Sequence, residues 1–222
     1  MPVNQAKYKE IVGQLGGKAL LVAVSKTKPA EDIQALYDLG QRDFGENYVQ
    51  ELVDKQSALP AGIRWHFIGH LQSNKIKYIA PFVHLIHGVD SFKLLKEIDK
   101  QAAKLGKVIQ VLLQVHIARE ETKFGMDEAE LADALREAVQ LSHVCVRGLM
   151  GMASFSEDKN IVREEFRRLH GLFEQYRRPA APGCDWSILS MGMSGDYTIA
   201  VEEGSSLVRI GSLLFGEREY KK

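Results

Sequence analysis

A lysine at the end of an apolar run is the first candidate for chemistry. An apolar run from Ala19 to Val24 reads as a buried strand leading into "LVAVSKTKPAEDI", where Lys26 follows after Ser25. An amine attacks a carbonyl only when neutral, and a free lysine has a pKa of about 10.4. Burial, or a nearby cation such as Lys28 or Arg209, lowers it.

A second group lies far along the chain, in "SMGMSGD" and "GSLLFG". Gly192 and Gly195 let backbone amides approach an anion, and Ser190 and Ser194 add hydroxyl donors. Ser194 or Asp196 is placed to cap the helix "DYTIAVEEG", which Gly204 ends. Gly211 and Ser212 open a short segment whose amides can point at the same anion. Together they fit a phosphate cup, with turn glycines and helix caps as the plain alternative; neither the P-loop spacing nor G-x-G-x-x-G occurs. Arg209 stands inside the apolar strand "SLVRIG", where an exposed arginine is out of place. An ion pair with an acid on the neighbouring strand is the plain alternative there.

The remaining candidates read as structural. His66 and His70 are four apart and His84 and His87 three apart, but neither pair has a cysteine or an acidic third ligand beside it, so no metal is assigned. Cys145 and Cys184 show no paired spacing, and Cys145 sits in an apolar run as a buried, inert thiol. The charges from Asp158 to His170 read as a solvated helix face.

These residues must be positioned by regular elements. Eight short apolar runs recur: "ALLVAVS", "RDFG", "WHFIG", "VHLIHGV", "VIQVLLQVHI", "VCVRGLMGM", "WSILSM" and "SLVRIG". Helical spacing fills most gaps, as in Ile33, Leu36 and Tyr37, in Leu131, Ala134, Leu135 and Ala138, and in Val162, Phe166, Leu169, Phe173 and Tyr176. Pro29, Glu31 and Asp32 suit a helix start, and Gly40 suits its end. A further helix around Ala6 to Leu15 precedes the first strand. Strands apolar throughout and alternating with helices fit a parallel sheet. Eight units point to a single-domain (β/α)8 barrel over residues 1–222, with an extra N-terminal helix; an open doubly wound sheet is the alternative. In a barrel, function collects where strands end, and the loops after the seventh and eighth strands often hold phosphate. The first and eighth strands are then neighbours, which sets Lys26 beside the phosphate cup. That pairing suits a phosphorylated aldehyde held by an imine.

The chain has 222 residues, with 29 Lys plus Arg against 29 Asp plus Glu. Zero net charge gives no electrostatic case for nucleic acid or an anionic membrane. The first residues are too charged for a signal peptide, and no run reaches the ~20 apolar residues of a membrane span. With only two cysteines and no paired spacing, a cytoplasmic protein is expected.

"AVSKTKP", "FGENYVQE", "WHFIGHLQSNK", "RGLMGM", "SMGMSGD" and "VRIGSLLFG" occur in order from residue 23 to residue 216. In these motifs the chain resembles the pyridoxal phosphate homeostasis protein family. The resemblance implies the barrel of the alanine racemase N-terminal domain and pyridoxal 5′-phosphate held as an internal aldimine on Lys26. It implies that Arg209 faces the pyridine nitrogen and that Ser194, Gly211 and Ser212 hold the phosphate, with Ser190 a further donor. Asn47 would lie beside the cofactor, and Met152 would touch the ring. Ser212 stands where many relatives have threonine, and either supplies a hydroxyl.

An arginine at the pyridine nitrogen leaves it unprotonated and weakens the electron sink. Racemases of this fold also use a base from a second domain of a partner subunit, for which the stretch after Arg209 leaves no room. The expectation is therefore a monomeric carrier of pyridoxal phosphate, without substantial catalysis, that contributes to vitamin B6 and amino-acid homeostasis and serves dependent apoenzymes. Two alternatives stand beside it: an amino-acid racemase or decarboxylase, and a barrel enzyme using Lys26 on a phosphorylated aldehyde without a bound cofactor.

Overall fold

The structure is a computed structural model describing residues 3–120, 124–177 and 184–216. Eight parallel strands close into a barrel in sequence order, with the last beside the first. The strands are β1 (Leu20–Val24), β2 (Asp43–Glu46), β3 (Arg64–Phe67), β4 (Leu85–Val89), β5 (Ile109–Gln114), β6 (Val144–Met150), β7 (Ile188–Ser190) and β8 (Leu207–Ile210). Helix α1 (Gln5–Leu15) precedes them, as expected. Around the barrel follow α2 (Ala30–Asp38), α3 (Val49–Ala58), α4 (Ile76–Ile79), α5 (Phe92–Lys104), α6 (Glu128–Glu137), α7 (Lys159–Gln175), α8 (Tyr197–Glu202) and α9 (Ser212–Phe215). The closed β1–β8 pairing, Leu20 with Leu207 through Ala23 with Ile210, excludes the open sheet.

Two apolar layers hold this arrangement. The larger lies between sheet and helices, where Ile33, Leu36, Phe44, Leu52, Phe166 and Leu169 are buried. The smaller fills the barrel with Val22, Leu85, Leu112, Met150 and Leu207. Strand residues alternate between these layers, so strands that look continuously apolar are apolar on both faces. Local capping agrees with the helix starts: Asn4, Ser91, Asp127 and Asp158 each accept an amide proton, and Asp127 with Glu130 completes a capping box. Pro29 occupies the cap position of α2, with Glu31 and Asp32 in its first turn. No helix of the described residues is long and apolar enough to cross a membrane.

Two sequence expectations need correction. Cys145 is not a free thiol: it is bonded to Cys184, with Cα atoms 5.5 Å apart. The pair spans 39 positions, and only the β6–β7 neighbourhood brings it together, so no local spacing announces it. The charged stretch 158–170 is not wholly a solvated face. Arg163 and Arg167 pair with Glu203 across α7 and α8, and Glu165 is buried. Glu165 accepts from the Ser154 amide at 2.6 Å and the Ser154 hydroxyl at 2.7 Å, and so ties down the loop after β6.

Candidate functional site

Lys26 is presented by a braced turn. Ser25, just past β1, is buried and donates its hydroxyl to Glu46 Oε1 at 2.6 Å. On the other side, the Thr27 amide donates to Glu51 Oε1 at 2.6 Å. Lys55 of α3 joins the two braces, donating to the Ser25 carbonyl at 2.8 Å, Glu46 Oε1 at 2.8 Å and Glu51 Oε1 at 2.6 Å. Thr27 has φ of 63°, the left-handed region that a β-branched residue rarely enters. Such a conformation costs on the order of 1–3 kcal/mol and persists only where its surroundings enforce it. The brace therefore sets the direction of Lys26 between two fixed neighbours. Burial pushes the Glu46 carboxyl up from its ordinary range, against the pull of Lys55 and Ser25.

The turn opens on a cavity of about 500 Å³, within the usual range for small cofactors. Lys26, Asn47, Ser194, Arg209, Gly211 and Ser212 all line it, and so does Met152. Ser190 does not. It is fully buried behind Arg209, whose guanidinium donates to its hydroxyl at 2.5 Å and to the Gly151 carbonyl at 3.1 Å. The expected alternative for Arg209, a carboxylate on the adjacent strand, is not what it bonds. The acid whose field it feels is Asp196, in the loop after β7, while burial lowers its pKa to about 10.

Close backbone approaches shape the rest of the cavity. A Cβ on Gly69 would stand 2.4 Å from the Asn47 carbonyl, so glycine is required for the ends of β2 and β3 to meet and place Asn47. Gly192 has φ of 96° and its carbonyl accepts from the Arg209 amide at 3.0 Å, which sets the loop after β7 against β8. Ser194 accepts from the Gly211 amide at 3.2 Å and joins the two loops. Neither Ser194 nor Asp196 caps α8 through its side chain; Asp196 instead accepts from the Met193 amide at 2.6 Å.

Asn47 Oδ1 is buried and has no hydrogen-bond partner among the described residues. An orphaned acceptor on a cavity wall fits a ligand that brings a donor. The set as a whole offers an amine, a donor-only guanidinium, hydroxyls and glycine amides. It is matched to a molecule with a carbonyl carbon, an acceptor nitrogen and a phosphate.

The histidines differ from expectation as well. Asp43 supplies the acid that the spacing did not show: ligand atoms of Asp43, His66 and His84 lie within 4.8 Å of one another. However, Arg64 donates to both Asp43 oxygens, at 2.7 and 2.5 Å, and Asp43 Oδ1 is also 3.0 Å from His66 Nε2. Arg64 already supplies the positive charge that a metal would bring. Burial opposes ionisation of Asp43, but hydrogen bonds with His66 and Arg64 outweigh it and hold the carboxyl below its ordinary range. His66, His84 and His87 all have lowered pKa values, chiefly from burial. An unfolded chain protonates these rings near pH 6.5, whereas the folded chain resists, so the unfolded state binds more protons below that point. Stability should therefore fall as pH drops from about 6.5, by up to ~1.4 kcal/mol per pH unit for each of the fully buried rings, His66 and His87, and by less for the half-buried His84. Urea unfolding at pH 7.5 and pH 5.5 checks this; equal stabilities would contradict three neutral rings.

Glu46 is a strand-end candidate by position, but its bracing role, with Glu51 and Lys55, is not visible in the sequence. Glu51 and Lys55 are four apart on one helix, a signal for pairing, but nothing local shows that they grip the Lys26 turn.

Residues 4–219 match the family model of the alanine racemase N-terminal domain. The chain is 41% identical over 225 residues to the pyridoxal phosphate homeostasis protein of Pasteurella multocida, covering 99% of this chain and 93% of that one. It is 43% identical over 218 residues to the protein of the same name from Aquifex aeolicus, covering 96% and 93%. Among solved structures it is similar to PipY of Synechococcus elongatus, 37% identical over 95% of this chain and 99% of that one. The TM-score is 0.89 to the structure without PLP and 0.84 to the one with PLP bound.

Proposed function

Because this chain belongs to the pyridoxal phosphate homeostasis protein family, built on the alanine racemase N-terminal domain, we propose that it binds pyridoxal 5′-phosphate at the mouth of its barrel. The observation that carries the reading is the meeting of Lys26, Asn47, Ser194, Arg209, Gly211 and Ser212 on one cavity. PipY, over a third identical, has a structure with PLP bound.

Each residue has a role that its chemistry allows. Lys26 would hold the aldehyde carbon through Nζ, its deprotonated amine forming the carbon–nitrogen bond as water is lost. Ser194 and Ser212 hold the phosphate by their hydroxyls, and the Gly211 amide joins them by exchanging Ser194 Oγ for a phosphate oxygen. Arg209 donates to the pyridine nitrogen, and Asn47 Oδ1 accepts a donor from the ligand. Ser190 serves by holding Arg209 instead of touching phosphate.

The bound cofactor supplies an electron sink only as strong as its ring nitrogen is protonated. A guanidinium whose pKa stays near 10 donates a hydrogen bond but no proton at neutral pH. This supports holding and release over turnover, in keeping with relatives named for homeostasis. The chain would then buffer the cofactor and supply it to dependent apoenzymes.

Adding pyridoxal phosphate to the purified protein should produce a visible absorbance band that borohydride bleaches, leaving the label on the Lys26 peptide. A colourless protein that gains no band would overturn the proposal. Steady exchange of the α-proton of an amino acid in deuterated water would instead favour a racemase.

Arg209→Ala provides a separate check. It removes the hydrogen bonds that Arg209 gives to the buried Ser190 hydroxyl and the Gly151 carbonyl, as well as the one to the ring nitrogen. Cofactor retention should weaken by roughly tenfold or more, the equivalent of one charged hydrogen bond at about 1.5–3 kcal/mol. Unchanged affinity and spectrum would remove Arg209 from the site.

A further inference from the structure

Polar side chains inside the barrel continue from Arg209 away from the cavity. Ser190 Oγ, which accepts from Arg209, is also 3.1 Å from His87 Nδ1 on β4. His87 Nε2 is 2.9 Å from His66 Nδ1 on β3, and His66 Nε2 is 3.0 Å from Asp43 Oδ1. Asp43 and Arg64 open β2 and β3, so the run ends at the face of the barrel opposite the cavity. His66, His87 and Ser190 are each at most 1% exposed.

The two ends settle the direction of every bond between them. An ionised Asp43 accepts only, so His66 must carry its proton on Nε2 and present Nδ1 as an acceptor. His87 must then donate from Nε2, which leaves its Nδ1 as an acceptor too. Ser190 supplies the proton to that nitrogen and keeps its lone pairs for Arg209, a group that only donates. Each ring nitrogen is satisfied and both rings are neutral, as their burial demands.

We infer that Asp43, His66, His87 and Ser190 form a one-way hydrogen-bond relay that positions Arg209 against the pyridine nitrogen. The relay turns the Ser190 proton inward and away from the phosphate. It anchors the guanidinium at Nη1 while Gly151 anchors Nη2, which fixes the plane in which Arg209 faces the cavity. This rests on the proposed place of Arg209 at the ring; the direction of the relay does not.

Nitrogen-15 NMR of the histidine rings tests the direction on the unmodified chain. Both His66 and His87 should carry their proton on Nε2 at neutral pH, with or without pyridoxal phosphate. A proton on Nδ1 of either ring would overturn the relay even if the cofactor never binds. The coupling to the site is tested with Ser190→Ala, which removes one oxygen and leaves both rings in place. Its loaded form should show a shifted visible band and release pyridoxal phosphate about tenfold faster, the effect of one lost hydrogen bond near 1.4 kcal/mol. Borohydride should still fix the cofactor to Lys26, and Ser190→Thr, which keeps the hydroxyl, should restore band and rate. A Ser190→Ala protein with unaltered band and release rate would overturn the positioning role while leaving the cofactor reading intact. Absence of any band in the unmodified protein would instead fail the cofactor reading.

Discussion

Lys26→Ala is expected to abolish the visible band and the borohydride-stable attachment of pyridoxal phosphate. The phosphate, ring-nitrogen and Asn47 contacts would survive, so the cofactor should still bind, but reversibly and more weakly. The loss is expected to be on the order of 10²–10³-fold in retention, or about 3–4 kcal/mol. Lys28 is the control, because it lines the same cavity and is the other amine in reach. Its Nζ donates to the Phe215 carbonyl at 2.8 Å, so Lys28→Ala should keep the band. Mass spectrometry after borohydride reduction decides between them. A full band in Lys26→Ala, or a label on Lys28 in the unmodified protein, would refute the assignment.

The second large effect falls on the brace. Lys55 is 8% exposed and Glu46 fully buried, and a single ammonium serves Glu46, Glu51 and the Ser25 carbonyl. Lys55→Ala leaves the Glu46 carboxylate without its counter-charge, and removing one partner of a buried pair costs about 3–5 kcal/mol. Urea unfolding should show that loss. The turn should suffer too, since the left-handed Thr27 depends on Glu51. Replacing both partners, Glu46→Gln with Lys55→Met, removes the stranded charge and should recover most of the stability. Recovery of stability without recovery of the Lys26 band would mean that the brace serves the site more than the fold. A Lys55→Ala protein as stable as the parent would show that the pair contributes nothing.

Much of this was legible in the residues. Regular βα alternation and the eight apolar runs pointed to the barrel, because a period of two against one of 3.6 survives any tertiary detail. Lys26, Ser194, Gly211 and Ser212 could be picked as residues of one cavity because barrel strands end in a common face, so position along a strand predicts position in space; Arg209 stood out instead as a charge inside an apolar strand. What stayed hidden depends on which side chains meet across the sheet. His66 and His87 looked like parts of two unrelated local pairs, and their true neighbours come from β2, β4 and β7. Ser190 read as a phosphate donor because a serine at a strand end is indistinguishable from one facing inward by a single residue's register. The Cys145–Cys184 bond and the Lys55 brace were hidden for the same reason, since both join segments that only the closed sheet makes adjacent.

The junction of β1 with β8 has a consequence for how the protein comes to exist. Lys26 comes from the first strand and Arg209 from the last, and their strands pair directly, Val22 beside Arg209. A fragment lacking either strand would lack Lys26 or Arg209 on the cavity wall, and so would a partly folded chain with only the other seven strands in place. Ligand capture thus reports that the ring has been completed. Since the cofactor then favours only the completed ring, saturating it should raise the unfolding free energy in proportion to the logarithm of its concentration. On the proposed reading, the molecule that this chain would hold is also the inspector that certifies its assembly.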